Sequence, residues 1–217
     1  EGPVVIDHCL GQRFIGTALG AGRSLTIHGV PGQRHGGLLD GGAIEVFGDV
    51  QEPPANHERR GPSWSTVAPG RTGYSMRGGV ILIEGDVGYR AGIHMKSYGS
   101  KVPVLIVGGA AGSFLGEYQA GGLILVLGLG HEDRAPYNYF CGTGITGEDV
   151  VRSDYIPENL PDQVVPHDLD QAGLEEIMPH LERYCSTFGV PMERILPHRF
   201  YALTNTASPY KRLYAMN

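Results

Sequence analysis

Short apolar runs bounded by glycines recur along the first two-thirds of the chain. The clearest is Gly121-Gly122-Leu123-Ile124-Leu125-Val126-Leu127-Gly128. It is repeated by Gly41-Gly42-Ala43-Ile44-Glu45-Val46-Phe47-Gly48 and by Gly78-Gly79-Val80-Ile81-Leu82-Ile83-Glu84-Gly85, and in shorter form by Ser24–Gly29 and Pro103–Gly108. Runs rich in β-branched residues and leucine suit strands covered on one or both faces. Their centres fall near Ile27, Val46, Leu82, Leu105 and Leu125, with gaps of 19, 36, 23 and 20 residues. Self-similarity near this period marks a stacked-repeat architecture. The 36-residue gap is about two periods and predicts a rung hidden or replaced in the middle.

The glycines keep a register of their own. A run ends on a glycine and a second follows three residues on, as in Gly29-Val30-Pro31-Gly32, Gly85-Asp86-Val87-Gly88 and Gly109-Ala110-Ala111-Gly112. The next double glycine restarts the cycle, 12 residues after Gly29 at Gly41 and 12 after Gly109 at Gly121. Gly29, Gly32, Gly41, Gly42, Gly48, Gly78, Gly79, Gly85, Gly88, Gly109, Gly112, Gly121, Gly122 and Gly128 are therefore read as repeat corners. At such sites a tight turn needs positive φ, or stacked backbones approach closely. Asp49 and Asp86 occupy equivalent places after Gly48 and Gly85 and read as turn formers. The expected fold is all-β, a single-stranded parallel β-helix. Five to seven coils at a strand spacing of about 4.8 Å make a rod roughly 25–35 Å long, with ends that need caps or partners.

Between the second and third clear runs lies Gln51–Trp64, made of prolines, charges and the only tryptophan. A solenoid accepts such an insertion as a loop on one face, and Trp64 is a candidate interface residue there. Gly142-Thr143-Gly144-Ile145-Thr146-Gly147 is a literal G-x-G-x-x-G. A dinucleotide fingerprint needs a strand directly before it and a helix after it, and this context supplies neither. Residues 155–169, with Pro157, Pro161 and Pro166, read as an extended strap. Leu174, Ile177, Met178, Leu181, Tyr184, Cys185 and Phe188 then follow helical spacing, with Asp168 or Asp170 as N-cap and Gly189 as terminator. Pro179 predicts a kink or a boundary within that helix. Val190–Leu196 suggests a second short helix and Phe200–Leu203 a last strand. The division is a β-helix domain over 1–154 and a strap, helix and tail over 155–217 that pack on it as a small helical cap.

Composition narrows the function classes. The 34 glycines show no three-residue period, which excludes collagen, and a net charge of −6 with no basic cluster beyond Arg59-Arg60 and Lys211-Arg212 argues against nucleic acid. Cys9, Cys141 and Cys185 form neither a disulfide framework nor a C-x-x-C pair and read as reduced thiols. Neither a membrane-spanning run nor a signal peptide is found, so the expectation is a cytoplasmic protein. A β-helix enzyme acting on polysaccharide would need Asp49, Glu84, Asp86 and Arg90 to converge in one groove. A histidine site would need His28, His35, His94 and His131 to meet on neighbouring coils. Structural roles are favoured for both sets, so no catalytic, cofactor-binding or metal-binding residue is named.

One family gathers these pieces in order. Gly29-Val30-Pro31-Gly32-Gln33, Gly48-Asp49-Val50, Gly78-Gly79-Val80-Ile81, Gly85-Asp86-Val87-Gly88 and Gly109-Ala110-Ala111-Gly112 resemble the GXGXG-type β-helix at the C-terminal end of the glutamate synthase large subunit. Leu174–Cys185, Ile195-Leu196, Phe200–Leu203 and Tyr210-Lys211-Arg212 resemble the helix, strand and closing element that follow in that family, so the likeness covers roughly residues 5–215. The His57–Trp64 insertion and Ser97–Pro103 depart from it. The resemblance implies a right-handed parallel β-helix that carries no catalytic group and spaces an amidotransferase from a flavin-binding barrel. A class II amidotransferase needs an N-terminal cysteine where this chain has Glu1. A flavin barrel of about 250 residues does not fit in the chain. Three scattered cysteines do not hold an iron–sulfur cluster. The implied role is thus a scaffold, as a separate subunit or a domain, with FMN and iron–sulfur clusters in the partner subunits and possible homo-oligomerisation. The solenoid also resembles the third subunit of formylmethanofuran dehydrogenase, less well in the tail.

Overall fold

The architecture comes from a computed structural model, which describes residues 3–32, 34–50, 71–146, 148–156 and 160–205. Seven strands pair in parallel and in sequence order: β1 (Val4–Leu10), β2 (Ser24–Val30), β3 (Asp40–Phe47), β4 (Gly78–Ile83), β5 (Val104–Val107), β6 (Leu123–Val126) and β7 (Glu148–Arg152). β8 (Val164–Asp168) and β9 (Phe200–Asn205) complete one sheet in the order β1-β2-β3-β4-β5-β6-β7-β9-β8, with β9 antiparallel to both of its neighbours. A parallel solenoid of about six turns results.

Register follows from side-chain alternation. Ile27, Val46, Ile83, Val107, Val126 and Val151 lie side by side on successive strands and point inward. Leu25, Ile44, Ile81, Leu105 and Ile124 form a second inward column. Each such side chain contributes on the order of 1.5–3 kcal/mol by leaving water. The column ends on Asp149, fully buried beside Ile124. Val50, Val87, Ala111 and Tyr137 bridge at the next corner and give each coil a third wall.

β3 pairs directly with β4, Ile44 opposite Ile81. No rung therefore stands between these two strands, although 36 residues separate their centres. Trp64 and the rest of that insertion lie outside the described residues. β7 adds a further parallel strand beyond β6, at a stretch whose Glu148-Asp149 breaks the apolar pattern of the earlier runs.

The outer face of the sheet is covered by α1 (Gln171–Phe188). Leu82, Ile106, Leu125 and Leu127 pack there against Ile177, Leu181 and Tyr184. The Tyr184 hydroxyl donates to the Glu84 carbonyl at 3.0 Å, and burial pushes its pKa up. Asp170 is the N-cap, accepting from the Gly173 N–H at 2.8 Å, and Gly189 closes the helix with φ 68°. The helix runs without a break through Pro179, contrary to the expected kink or boundary. Pro179 is exposed, so water can satisfy the carbonyl that its missing N–H leaves open. Only a 3₁₀ turn, Met192–Arg194, forms where a second helix was expected.

The two ends differ. At the C-terminal end Val164, Tyr201 and Leu203 join the inner core and close it. At the N-terminal end the described residues leave an apolar pit of about 680 Å³, lined by Val4, Ile6, Ile15, Leu19 and Leu25 among others. Among the described residues no helix is long and apolar enough to cross a membrane.

Candidate functional site

A second wall of the solenoid is built from a five-residue segment that occurs once per turn. Its six copies are Phe14–Ala18, Arg34–Leu38, Arg71–Ser75, Arg90–His94, Phe114–Tyr118 and Phe140–Gly144. The third position is always glycine, with φ between 62° and 70° at Gly16, Gly36, Gly73, Gly92, Gly116 and Gly142. Apart from Arg71, the first and fifth positions also take positive φ, and all of these but Gly144 are not glycine. Phe14, Ala18, Arg34, Leu38, Ser75, Arg90, His94, Phe114, Tyr118 and Phe140 make up ten of the eleven non-glycine residues with positive φ among the described residues. Each costs about 1–2 kcal/mol relative to the right-handed region.

Hydrogen bonds between turns hold this conformation in place. The N–H groups of Gly36, Gly73, Gly92, Gly116 and Gly142 donate one turn down, to the carbonyls of Ile15, His35, Thr72, Ala91 and Leu115. Two residues on, the N–H groups of Ala18, Leu38, Ser75, His94 and Tyr118 donate one turn up, to Gly37, Tyr74, Ile93, Glu117 and Thr143. A Cβ on the central glycine would run into the core, at Ile44 for Gly16, Ile81 for Gly36, Ile124 for Gly92 and Asp149 for Gly116.

Alternation then sorts the side chains. The second position faces inward and holds Ile15, His35, Thr72, Ala91, Leu115 and Cys141. His35 is fully buried, its Nδ1 3.3 Å from the Gly32 carbonyl, and burial lowers its pKa to about 4, so the ring is neutral. Burial and the charge of Asp149 push the Cys141 thiol well up, which makes it an inert core residue. The Tyr201 hydroxyl lies 3.1 Å from that of Tyr137 in the same end of the core.

The first and fifth positions, Ser75 excepted, reach the surface and form a ridge. Arg34 stacks over Phe14 and Tyr74, 5.7 and 5.4 Å from the ring centres. Arg90 stacks over Tyr89 and Phe114, at 5.0 and 5.2 Å, and its Nε pairs with Glu117 at 2.9 Å. Phe114 stacks on Phe140 and His94 on Tyr118, at 5.0 and 5.4 Å. Phe14, Tyr118, Tyr139 and Phe140 remain more than half exposed.

The residues singled out from the sequence fall in several places. Of the fourteen corner glycines, Gly29, Gly41, Gly48, Gly79, Gly121, Gly122 and Gly128 have positive φ. A Cβ at Gly32 would overlap the Gly11 carbonyl, and one at Gly112 would meet the Gly88 carbonyl carbon at 2.8 Å. Gly42 and Gly78 lie against Leu19 and Lys101. Gly85 and Gly109 leave room for carboxylates: Asp49 Oδ1 accepts from the Asp86 N–H at 3.0 Å, and Asp86 Oδ1 from the Ala110 N–H at 2.7 Å. The two aspartates thus form a ladder up one corner, where His131 Nε2 joins Asp86 at 2.8 Å. Asp86→Ala should cost about 1–2 kcal/mol in urea unfolding, while Asp86→Asn, which keeps an acceptor for Ala110, should cost less. Equal losses would show that the carboxylate accepts nothing of consequence.

Arg90 pairs with Glu117 on the ridge, not with Asp49, Glu84 or Asp86. His28 lies on Phe47, His35 in the core, His94 on Tyr118 and His131 at the corner, so the four do not meet. No group of metal-ligating side chains occurs among the described residues. Gly142 and Gly144, at φ 70° and 69°, are the last rung of the ridge and lead into β7, not into a helix.

A family model described as "GXGXG motif" matches residues 4–205. The chain belongs to the GXGXG motif family. This motif domain is associated with the glutamate synthases, which are oxidoreductases. The chain is also similar to an uncharacterized protein of Methanocaldococcus jannaschii, 38% identical over 195 residues, covering 87% of this chain and 74% of that protein. In this member of the GXGXG motif family, glycine holds every central position of the recurring segment. The flanking positions keep the motif's backbone while carrying arginine and aromatic side chains.

Proposed function

We propose that the chain is a non-catalytic structural subunit or domain of a glutamate-synthase-like complex. Its solenoid spaces an amidotransferase part from a flavin and iron–sulfur synthase part in glutamate biosynthesis. The observation that carries this reading is the family match over 4–205, which takes in the solenoid together with its helical cap. The use of the charged groups supports it. Asp49 and Asp86 take backbone N–H groups, Arg90 takes Glu117, and Arg152 takes three backbone carbonyls. FMN and the clusters belong, on this reading, to the partners.

The test is purification of the affinity-tagged chain from its native host. The expected result is a stoichiometric assembly with a flavin absorption spectrum and glutamine-dependent glutamate formation. A chain recovered with neither flavin nor that activity would overturn the proposal.

A further inference from the structure

The ridge concentrates positive charge in a chain whose overall charge is negative. The six outward segments carry Arg34, Arg71 and Arg90 against one carboxylate, Glu117, while the whole chain has a net charge of −6. The three arginines occupy the same position on three consecutive turns, because Gly73 N–H donates to His35 and Gly92 N–H to Thr72. Successive turns are about 4.8 Å apart, and like charges on neighbouring strands repel. Glu117 is engaged by Arg90. Neither Arg34 nor Arg71 has a carboxylate partner among the described residues.

Two further features make this column a surface prepared for binding. The guanidinium carbons of Arg34 and Arg90 each lie over two rings, so these side chains are already placed by cation–π contacts and less freedom is lost when a carboxylate arrives. The backbone also bears a cost to keep these side chains. Arg34, Arg90, Phe114 and Phe140 sit at φ 58–61°, where glycine would be unstrained, as Gly144 is at the last fifth position. Strain retained at outward positions points to use of the side chains. Phe14 below and Phe140 above supply half-exposed apolar ends to the column. Arginine and aromatic residues are those that dominate binding energy at protein interfaces.

We propose that the Arg34–Arg71–Arg90 column is a docking face for an acidic segment of a partner polypeptide, laid along the solenoid axis with its carboxylates on successive turns. The proposal rests on the scaffold reading for the nature of the partner and on the ridge itself for the chemistry.

The test uses fluorescein-labelled oligo-L-glutamate as the probe, with anisotropy read on the full chain at low ionic strength. Binding is expected, with a loss of about tenfold or more in Arg34→Gln/Arg71→Gln/Arg90→Gln and none in Arg23→Gln/Arg183→Gln, whose cations lie off the ridge. The triple Arg→Lys variant keeps the charge and should bind between the two, which separates charge from misfolding. Glu117→Gln, by freeing Arg90, should bind more tightly. No binding by the unaltered chain, or equal loss in the off-ridge control, would overturn the proposal. So would a DNA duplex bound at least as tightly through the same arginines, or a change in oligomeric state in the triple Gln variant, which would make the occupant a second copy. If the tagged chain brings no flavin partner yet oligo-glutamate binds through the ridge, the glutamate-synthase reading fails and the acidic docking face stands. The opposite pair of results separates them the other way.

Discussion

Gly79→Ala is expected to lower stability by about 4 kcal/mol, whereas Gly99→Ala costs about 1 kcal/mol, although both glycines have positive φ. Gly79 sits in β4 at φ 85°, and an added Cβ would overlap the Gly42 carbonyl oxygen and stand 3.0 Å from the Gly42 nitrogen. Both atoms are backbone of the adjoining turn, fixed by the β3–β4 ladder, so no rotamer change relieves the overlap. Gly99 at φ 58° has open space around it, and alanine there meets only the torsional cost. Gly92→Ala should fall between them, near 2–3 kcal/mol, because its clash is with the Ile124 side-chain terminus, which can turn at the expense of core packing. Equilibrium urea unfolding of the three variants gives the order directly. If Gly99→Ala cost as much as Gly79→Ala, close approach between turns would not be what fixes glycine in the repeat.

That contrast also marks what could be read from the chain alone. Strand positions were legible because Ile27, Val46, Leu82, Leu105 and Leu125 stand in compact apolar runs, and each falls within β2–β6. Asp49 and Asp86 were legible because each follows a corner glycine. β7 was not, because Glu148 and Asp149 put acids where the earlier strands carry apolar residues, and the cue that a buried column can end in a carboxylate is tertiary. The ridge was hidden for two reasons. Its central glycines are separated by 20, 37, 19, 24 and 26 residues, which defeats a search at one period. Its outer positions hold phenylalanine, arginine and tyrosine, which local propensity does not place at positive φ. The usable signal was the triplet of a large outward residue, an inward residue and glycine, as in Phe14-Ile15-Gly16, Arg90-Ala91-Gly92 and Phe114-Leu115-Gly116. The continuous helix through Pro179 is a tertiary override: the apolar face of α1 is held on the sheet by Ile177, Leu181 and Tyr184, on both sides of the proline.

Arg152→Ala should be the most damaging change to the C-terminal closure, at about 3–5 kcal/mol. Arg152 ends β7, is only 2% exposed, and donates to the carbonyls of Leu127 at 2.6 Å, Arg194 at 2.8 Å and Ile195 at 3.0 Å. These acceptors belong to the end of the β6 turn and to the 3₁₀ turn that leads into β9. One guanidinium therefore ties the last coil to the segment that seals it. Burial lowers its pKa, but a guanidinium stays protonated, and the nearby charges of Glu132 and Asp154 favour the cation. A buried ion can often be replaced by a hydrophobic residue at no loss. Here Arg152→Met should still cost several kcal/mol, because three buried carbonyls would lose their donors and methionine offers none. Arg152→Lys should recover part of the loss through one ammonium, without the fork that reaches three acceptors. Thermal unfolding measures the size of the effect, and amide exchange its place: protection should fall first across Met192–Leu203 and leave β2–β5 as they are. A methionine variant as stable as the unaltered chain would mean that the carbonyls find other donors and that the cap is held by α1 and the β7–β9 pairing alone.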